Sequence, residues 1–436
     1  MSAHSTHPDG TRDGGGISVG VVGGGIGGLT TALSLLHRGI DAHVYEQAAA
    51  LSEVGAGVQI SPNASRVLHG LGLAEDLERT GVKPVALHQR RWDDGRTLAR
   101  SPQAGPLEAA FGFPHYLMHR ADLLAALARR LPAERLHLRH RLTGLTDHGD
   151  HVEARFANGA RAEADVLVGA DGIHSPTRAA LFGPEHPRFT GCVAYRGLVP
   201  AERLRDLGLE LTTQLWMGPR AHFVHYFVGG GRLVNFVAII ERDSWTRESW
   251  TDRRDVAEAL AAFEGWHPQV RAIIEAVDET YLWALFDRAP LRRWSAGRVT
   301  LLGDACHAML PFMAQGAAMA VEDAATLAAR LAAAQAGPRR DLAAALPAAL
   351  PAALPAALPA ALPAALPAAL PAALLQYEAA RLPRTSRLQA MSTANKTEFH
   401  LPDGPGQVER DARMSEGVPG MSLQALAWVY GHDAAA

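Results

Sequence analysis

A chain of 436 residues that is 48% hydrophobic can bury the core of one large domain or two interlocked ones, which argues against a single helical bundle. Its formal charge of -3 lacks the basic excess with which proteins hold nucleic acid or an anionic membrane, so neither is expected as a partner. Cys192 and Cys306 are too few for a disulfide framework and read as buried thiols in a reducing cytoplasm.

Residues 1–15 are polar, contain Pro and Gly, and lack the apolar centre of a signal peptide, so they read as a disordered leader. No apolar run approaches the roughly 20 residues that cross a bilayer, so a soluble protein is expected. Residues 17–22 form an apolar strand, Gly23-Gly24-Gly25-Ile26-Gly27-Gly28 a turn, and 29–38 a helix stopped by Gly39. A second strand, 42–45, ends at Glu46. Gly23, Gly25 and Gly28 match G-x-G-x-x-G in a βαβ setting, with Glu46 eighteen residues past the last glycine and Gln47 beside it. Such glycines let backbone N–H groups approach a pyrophosphate, and the carboxylate can accept hydrogen bonds from ribose hydroxyls.

Between residues 191 and 240 the pattern alternates as in strands, with Gly229-Gly230-Gly231 as a hairpin between 222–228 and 233–240. Alternation puts His222, Val224 and Tyr226 on one face and His225 on the other. His222 and Tyr226 together can hold a phenolate or carboxylate, or can be a polar pair satisfied against the core. Residues 256–276 read as helical. A buried strand at 299–302 then feeds Gly303-Asp304 and a helix starting near Gly316, an arrangement suited to an anion or cofactor. Seven Leu-Pro-Ala-Ala units follow at 346–373. Each interior Pro costs a helix about 3 kcal/mol, so these units read as a linker and helical texture resumes at Leu374. Cys306-His307 offers too few ligands for a metal site, and no metal is assigned.

The glycine turn, the segment Val168-Gly169-Ala170-Asp171-Gly172-Ile173-His174-Ser175, and Gly303-Asp304 with its continuation to Gln315-Gly316-Ala317 occur in a telling order and spacing. Together they resemble the single-component flavoprotein aromatic hydroxylases, the family of p-hydroxybenzoate and salicylate hydroxylases, from Ile17 to about Arg413. Shorter stretches at 55–64, 119–123 and 194–198 resemble the salicylate, 3-hydroxybenzoate and 6-hydroxynicotinate hydroxylase branch. The resemblance implies an α/β fold: a discontinuous Rossmann-like FAD-binding domain, an inserted antiparallel-sheet substrate domain, and a C-terminal helical region. The expected bounds are 16–88, 117–187 and 296–335 for the first, 89–116 and 188–295 for the second, 336–373 for the linker, and 374–436 for the helical region and tail.

The cofactor so implied is FAD, with NADH or NADPH and O2 as co-substrates. No second dinucleotide fingerprint appears, so NAD(P)H is expected to dock transiently. By the same resemblance Glu46 holds the adenosine ribose, Arg120 reaches the pyrophosphate region, Asp304 binds the ribityl chain, and Asp171 contacts cofactor and takes part in nicotinamide recognition. Gly316 and Ala317 lie beside the isoalloxazine, where a helix N-terminus offers about half a positive charge to an anionic reduced flavin. The branch also places a His–Tyr pair in its active sites. That makes His222, with Tyr226, the expected base of near-neutral pKa that ionises a substrate phenol. Gln59, Tyr116 and Pro311 are further pocket candidates. Phe312 stands where the 6-hydroxynicotinate enzymes have His, and Phe236 where a Tyr is possible, which would make the pocket more apolar.

The implied reaction hydroxylates a small phenolic aromatic carboxylate through a flavin C4a-hydroperoxide. It is salicylate-like with loss of carbon dioxide, or 3-hydroxybenzoate-like with the carboxylate kept. Hydroxylation or epoxidation of a larger specialised metabolite, and a non-catalytic dinucleotide-fold module, stand as alternatives. Monomer and homodimer are left equal.

Overall fold

The computed structural model describes residues 16–51, 56–245, 253–345, 358–417 and 423–435. The expected leader, Gly55, and the first three Leu-Pro-Ala-Ala units lie outside the described residues.

The β-branched run Ser18–Val22 occupies an inner position of a six-stranded sheet ordered Ser295–Ala296, Val299–Leu301, Val166–Gly169, Ser18–Val22, Asp41–Tyr45, Leu136–His137. Its neighbours run parallel to it, with Val19 opposite Ala42 on one side and Val166 on the other. Such strands are covered on both faces, which is why they read as continuous apolar runs. Val19, Val21, Val166 and Leu301 pack with the helices Ile26–Leu36 and Gly316–Ala345. Val22, Leu167 and Val299 pack under a three-stranded antiparallel sheet through Val152, Ala154 and Phe156. The sheet therefore gathers strands from four separated stretches of chain.

The eight strands of the second sheet run in the order Arg253–Arg254, Thr280–Asp287, Arg188–Pro200, Leu233–Glu241, Ala221–Val228, Thr213–Gly218, Ala86–Arg91, Thr97–Pro102. The hairpin joins Ala221–Val228 to Leu233–Glu241, with His222 opposite Ile239. The sheet is not wholly antiparallel as expected, because Thr213–Gly218 runs parallel to Ala86–Arg91. No hairpin links those two strands, so turn geometry does not set their direction. The strand Ala86–Arg91 also runs across the boundary expected between residues 88 and 89. One face of the sheet buries Trp216, Phe223 and Phe236 against short helices, and the other packs Leu215, Met217 and Ile239 with Leu310, Phe312, Phe399 and Met414. The single helix expected at 256–276 is two, Val256–Ala262 and Pro268–Glu275. Pro268 cannot continue a helix but suits its first turn, and His267 caps it by accepting from the Gln269 N–H.

Four helices, Gly316–Ala345, Leu358–Phe399, Pro405–Ser415 and Leu423–Tyr430, supply the C-terminal part. Here the sequence reading needs its largest correction, since helix begins at Leu358, inside the repeat, rather than at Leu374. Prolines every four residues delete the N–H groups that would bond the carbonyl of the preceding proline, so the losses fall along one slowly winding stripe. Leu370, Ala373, Leu374 and Tyr377 are buried in the main core, and that packing outweighs the local penalty. No helix among the described residues is long and apolar enough to cross a membrane.

Candidate active site

The three fingerprint glycines do different jobs. Gly23 has φ +108°, and a Cβ there would collide with the Ala170 carbonyl, while a Cβ on Gly28 would collide with the Gly23 carbonyl. These two let turn, helix and neighbouring strand close up. A Cβ on Gly25 would meet nothing within 4 Å, and Gly25, Ile26 and Gly27 line a cavity of about 1140 Å³. Gly25 is the N-cap of Ile26–Leu36 and provides no side chain to the first-turn N–H groups. The helix therefore presents unsatisfied donors and its positive end where the chain is barest. Glu46 accepts hydrogen bonds from Gly24 N at 2.6 Å and Ala48 N at 2.7 Å, which fixes its carboxylate beside the turn, with Gln47 exposed next to it.

From Gly25 the cavity runs past Arg120, Asp304, Gly316 and Ala317 to Gln59, Pro311 and Phe312, and ends at His222 and Tyr226. Asp304 is exposed at the first position of the short helix Asp304–His307, and Gly316 opens Gly316–Ala345, so two more helix N-termini face this space. Arg120 begins Arg120–Arg130 and is tied by its N–H to the Ala56 carbonyl at 2.9 Å.

Glu46 and Gln47 stand beside the turn without lining the cavity, and two further expected site residues turn away from it. Asp171 does not line the cavity, although Ala170 and Gly172 do. Its carboxylate accepts from Ser175 Oγ, Thr177 N and Thr177 Oγ1 and so binds down the start of the helix Pro176–Phe182. Burial raises its pKa, and these hydrogen bonds oppose the rise. Tyr116 also faces away, donating its hydroxyl to Glu78 at 2.7 Å, whereas the next residue, Leu117, packs with Tyr226. In a strand adjacent residues point to opposite faces, so Leu117 takes the face toward Tyr226.

At the inner end, the register Leu215–Val224–Val237 and Met217–His222–Ile239 brings alternate residues of three strands to one face. Leu215, His222, Val224, Tyr226, Val237 and Ile239 all line the cavity. Phe236 does not: it stacks on Phe223 at 5.5 Å on the opposite face, so only Phe312 makes the cavity more apolar. The Phe312 ring meets His222 edge-on, centroids 4.9 Å apart.

His222 is 1% exposed, and burial pushes its pKa well below the ordinary value, contrary to the expectation of a near-neutral base. Its Nδ1 lies 2.7 Å from Nε2 of His400, and His400 Nδ1 lies 2.9 Å from Glu241 Oε1. Tyr226 is buried with its hydroxyl pKa pushed up, and only a residue without Cβ fits at Gly57, whose N–H bonds Asn235 at 2.7 Å. Arg196, stacked on Trp283 at 4.4 Å, also lines the cavity, and burial pushes its pKa down to about 10. Gln89, Gln103 and Thr213 complete a polar wall, each with a buried side-chain oxygen that has no partner among the described residues. Sequence reasoning assigned no role to Arg196, Gln89, Gln103, Thr213, Glu241 or His400. Arg196 lies inside a stretch already singled out, but nothing in the local pattern marks the others.

Beneath the cavity, charged groups are buried together. Asn63 donates to Glu322 at 2.6 Å and to Gln315 at 3.3 Å, Arg381 joins Glu322 to Asp323, and Asp323 accepts from Gly303 N at 3.1 Å and pairs with His307. Cys306, His307 and Asp323 lie close enough to suggest a metal cluster. The Asp323 oxygens are already engaged by His307, Gly303 and Arg381, however, so the group reads as an ion-pair network supporting the loop before Gly316.

Comparison with known proteins agrees with this geometry. The family profile described as FAD binding domain matches residues 16–344. A 3-amino-4-hydroxybenzoate 2-monooxygenase of Streptomyces platensis is 41% identical over 417 residues, covering 96% of each chain. A 6-hydroxynicotinate 3-monooxygenase of Bordetella bronchiseptica is 40% identical over 312 residues, covering 71% of this chain and 81% of that one. Among solved structures, a salicylate hydroxylase substrate complex superposes with a TM-score of 0.75 at 26% identity, covering 96% of both chains.

Proposed function

Since the chain belongs to the FAD-binding family of aromatic-ring monooxygenases, we propose that it hydroxylates a small phenolic aromatic carboxylate with NAD(P)H and O2, an ortho-aminophenol such as 3-amino-4-hydroxybenzoate being the foremost candidate. The observation that carries this reading is one continuous cavity that joins a bare dinucleotide turn to a buried His, Tyr and Arg. The full-length match to the Streptomyces platensis enzyme favours the amino-substituted ring over the salicylate and 3-hydroxybenzoate readings.

The open space above Gly25 and the uncapped helix behind it fit a pyrophosphate. In this reading Gly25 and Ile26 hold the pyrophosphate with Arg120 nearby, Glu46 and Gln47 take the adenosine ribose, and Asp304 takes the ribityl hydroxyls. Gly316 and Ala317 lie against the ring system, where the helix N-terminus favours negative charge. FAD held by these residues would supply the redox chemistry, hydride acceptance from NAD(P)H and activation of O2. The protein orients the substrate. His222 Nε2 accepts the phenol proton, Tyr226 hydrogen-bonds the same oxygen, Arg196 pairs with the carboxylate, and Gln89, Gln103 and Thr213 receive an amino substituent. Pro311 and Phe312 exclude water.

The test is NADH and NADPH oxidation by FAD-loaded protein with and without 3-amino-4-hydroxybenzoate, 3-hydroxybenzoate and salicylate, with mass analysis of products. Ligand-stimulated oxidation with one oxygen atom added is expected, and loss of carbon dioxide would select the salicylate reading. Firmly bound FAD with no stimulation by any of the three would move the substrate to a larger ring system.

A further inference from the structure

We propose that His400 and Glu241 act with His222 as a proton relay, carrying the proton of a phenol bound in the cavity to the protein surface. The inference rests on the phenolic-substrate reading above.

Two distances and one exposure carry it. His222 Nδ1 is 2.7 Å from His400 Nε2, and His400 Nδ1 is 2.9 Å from Glu241 Oε1. Both rings are buried, whereas the Glu241 side chain is 25% exposed. An ionised carboxylate can only accept, so His400 Nδ1 carries the hydrogen and His400 Nε2 is a lone pair. His222 Nδ1 must then donate to it, which leaves the His222 Nε2 lone pair as the acceptor for a ligand in the cavity. One surface carboxylate thus sets the tautomer of a ring two residues removed from it in the chain of hydrogen bonds.

The relay balances without electron transfer. The phenol O–H breaks as an N–H forms at His222 Nε2. The proton on His222 Nδ1 passes to His400 Nε2, and that on His400 Nδ1 passes to Glu241. Glu241 yields it to water, leaving a phenolate in the cavity. A His222 working alone would have to store the proton as a buried imidazolium flanked by Phe312 and Phe399, a form that burial strongly disfavours. The charged and titratable groups around the chain are few. His400 feels Glu241, which favours its charged form, and Lys396, which opposes it, and burial holds the ring neutral at rest. Glu241 lies 3.8 Å from Arg220, and the nearby Cys192 thiol, pushed up to about 11, stays neutral.

The experiment follows, by absorbance after a rapid upward pH jump, the rate at which 3-amino-4-hydroxybenzoate bound to FAD-loaded enzyme ionises, in the parent, Glu241→Gln and His400→Ala. Glu241→Gln keeps an oxygen acceptor for His400 at a partly exposed site but cannot take the proton. It should slow the ionisation of the bound phenol after the jump about tenfold without raising its equilibrium ionisation pH, because losing a nearby carboxylate charge does not disfavour the phenolate. It should also slow single-turnover hydroxylation about tenfold near neutrality, with recovery at higher pH. His400→Ala should behave alike and regain activity with added imidazole. Equal ionisation rates in the parent and Glu241→Gln overturn the relay, and that variant decides alone if His400→Ala does not fold. Failure of the parent to add oxygen to the ligand sinks the substrate reading instead. The relay is still judged by the difference in ionisation rate, which needs only a bound phenol.

Discussion

Arg381 grips two carboxylates that have no contact with water, Glu322 and Asp323. Burial pushes both acids up, but Arg381, with Arg384 on Glu322 and His307 on Asp323, brings them below their ordinary values of 4.5 and 3.8. Carboxylates depressed by folding add stability that is complete above the unfolded pKa and is lost as pH falls through the folded one. The urea midpoint should therefore hold from neutrality to about pH 5 and fall steeply below it. Arg381→Met takes a charged partner from each acid, leaving Arg384 on Glu322 and His307 on Asp323, and should cost about 3–5 kcal/mol, read from the same urea curves. Asp304→Ala, by contrast, removes an exposed group at the mouth of the cavity. FAD retention measured by equilibrium dialysis should weaken about tenfold or more with the unfolding curve unchanged. His222→Ala should keep FAD and release more hydrogen peroxide per NAD(P)H consumed, and hydroxylation as well coupled as in the parent would remove His222 from the reaction.

Elements show where local rules hold and where packing overrides them. The hairpin across Gly229–Gly231 and the βαβ turn follow from glycine and alternation within a few residues of chain, and both form as expected. The helix Leu358–Phe399 runs against propensity, because Leu370, Ala373 and Tyr377 anchor it, the last by a hydrogen bond from its hydroxyl to the Leu301 carbonyl at 3.0 Å. Pro371→Ala would restore a donor to the Pro367 carbonyl and should stabilise the protein by about 1–3 kcal/mol, seen as a higher Tm. A lower Tm would mean that the proline is required for docking. Strand register is harder to read than strand existence. Tyr116 is the pocket candidate in the sequence, and only the pairing of Ile60 with Tyr116 and the packing of Leu117 on Tyr226 show that it turns away.

Across the whole molecule, the cavity is lined by residues that follow strands of the six-stranded sheet, by the eight-stranded sheet and by the C-terminal helices, so a ligand that fills it touches all three. FAD should stabilise the chain as one unit. At free FAD about 1,000 times its Kd the gain is about 4 kcal/mol, and stripping the cofactor should lower Tm in a single cooperative transition. Two separate transitions with only one sensitive to FAD would show that the layers unfold independently. The amino-acid sequence by itself determined the glycine turn, the Gly303-Asp304 segment, the alternation that turns His222 and Tyr226 the same way, and the family they mark. These features are written in residues close together or in the order of short motifs. Only the tertiary structure decided that Asp171 and Tyr116 turn away, that Phe236 leaves the cavity, and that Arg196 enters it. It alone also set His400 against His222 across 178 positions of chain. A hydrogen-bond partner or an inward face depends on the register and docking of distant elements, and those follow from the summed packing of the core.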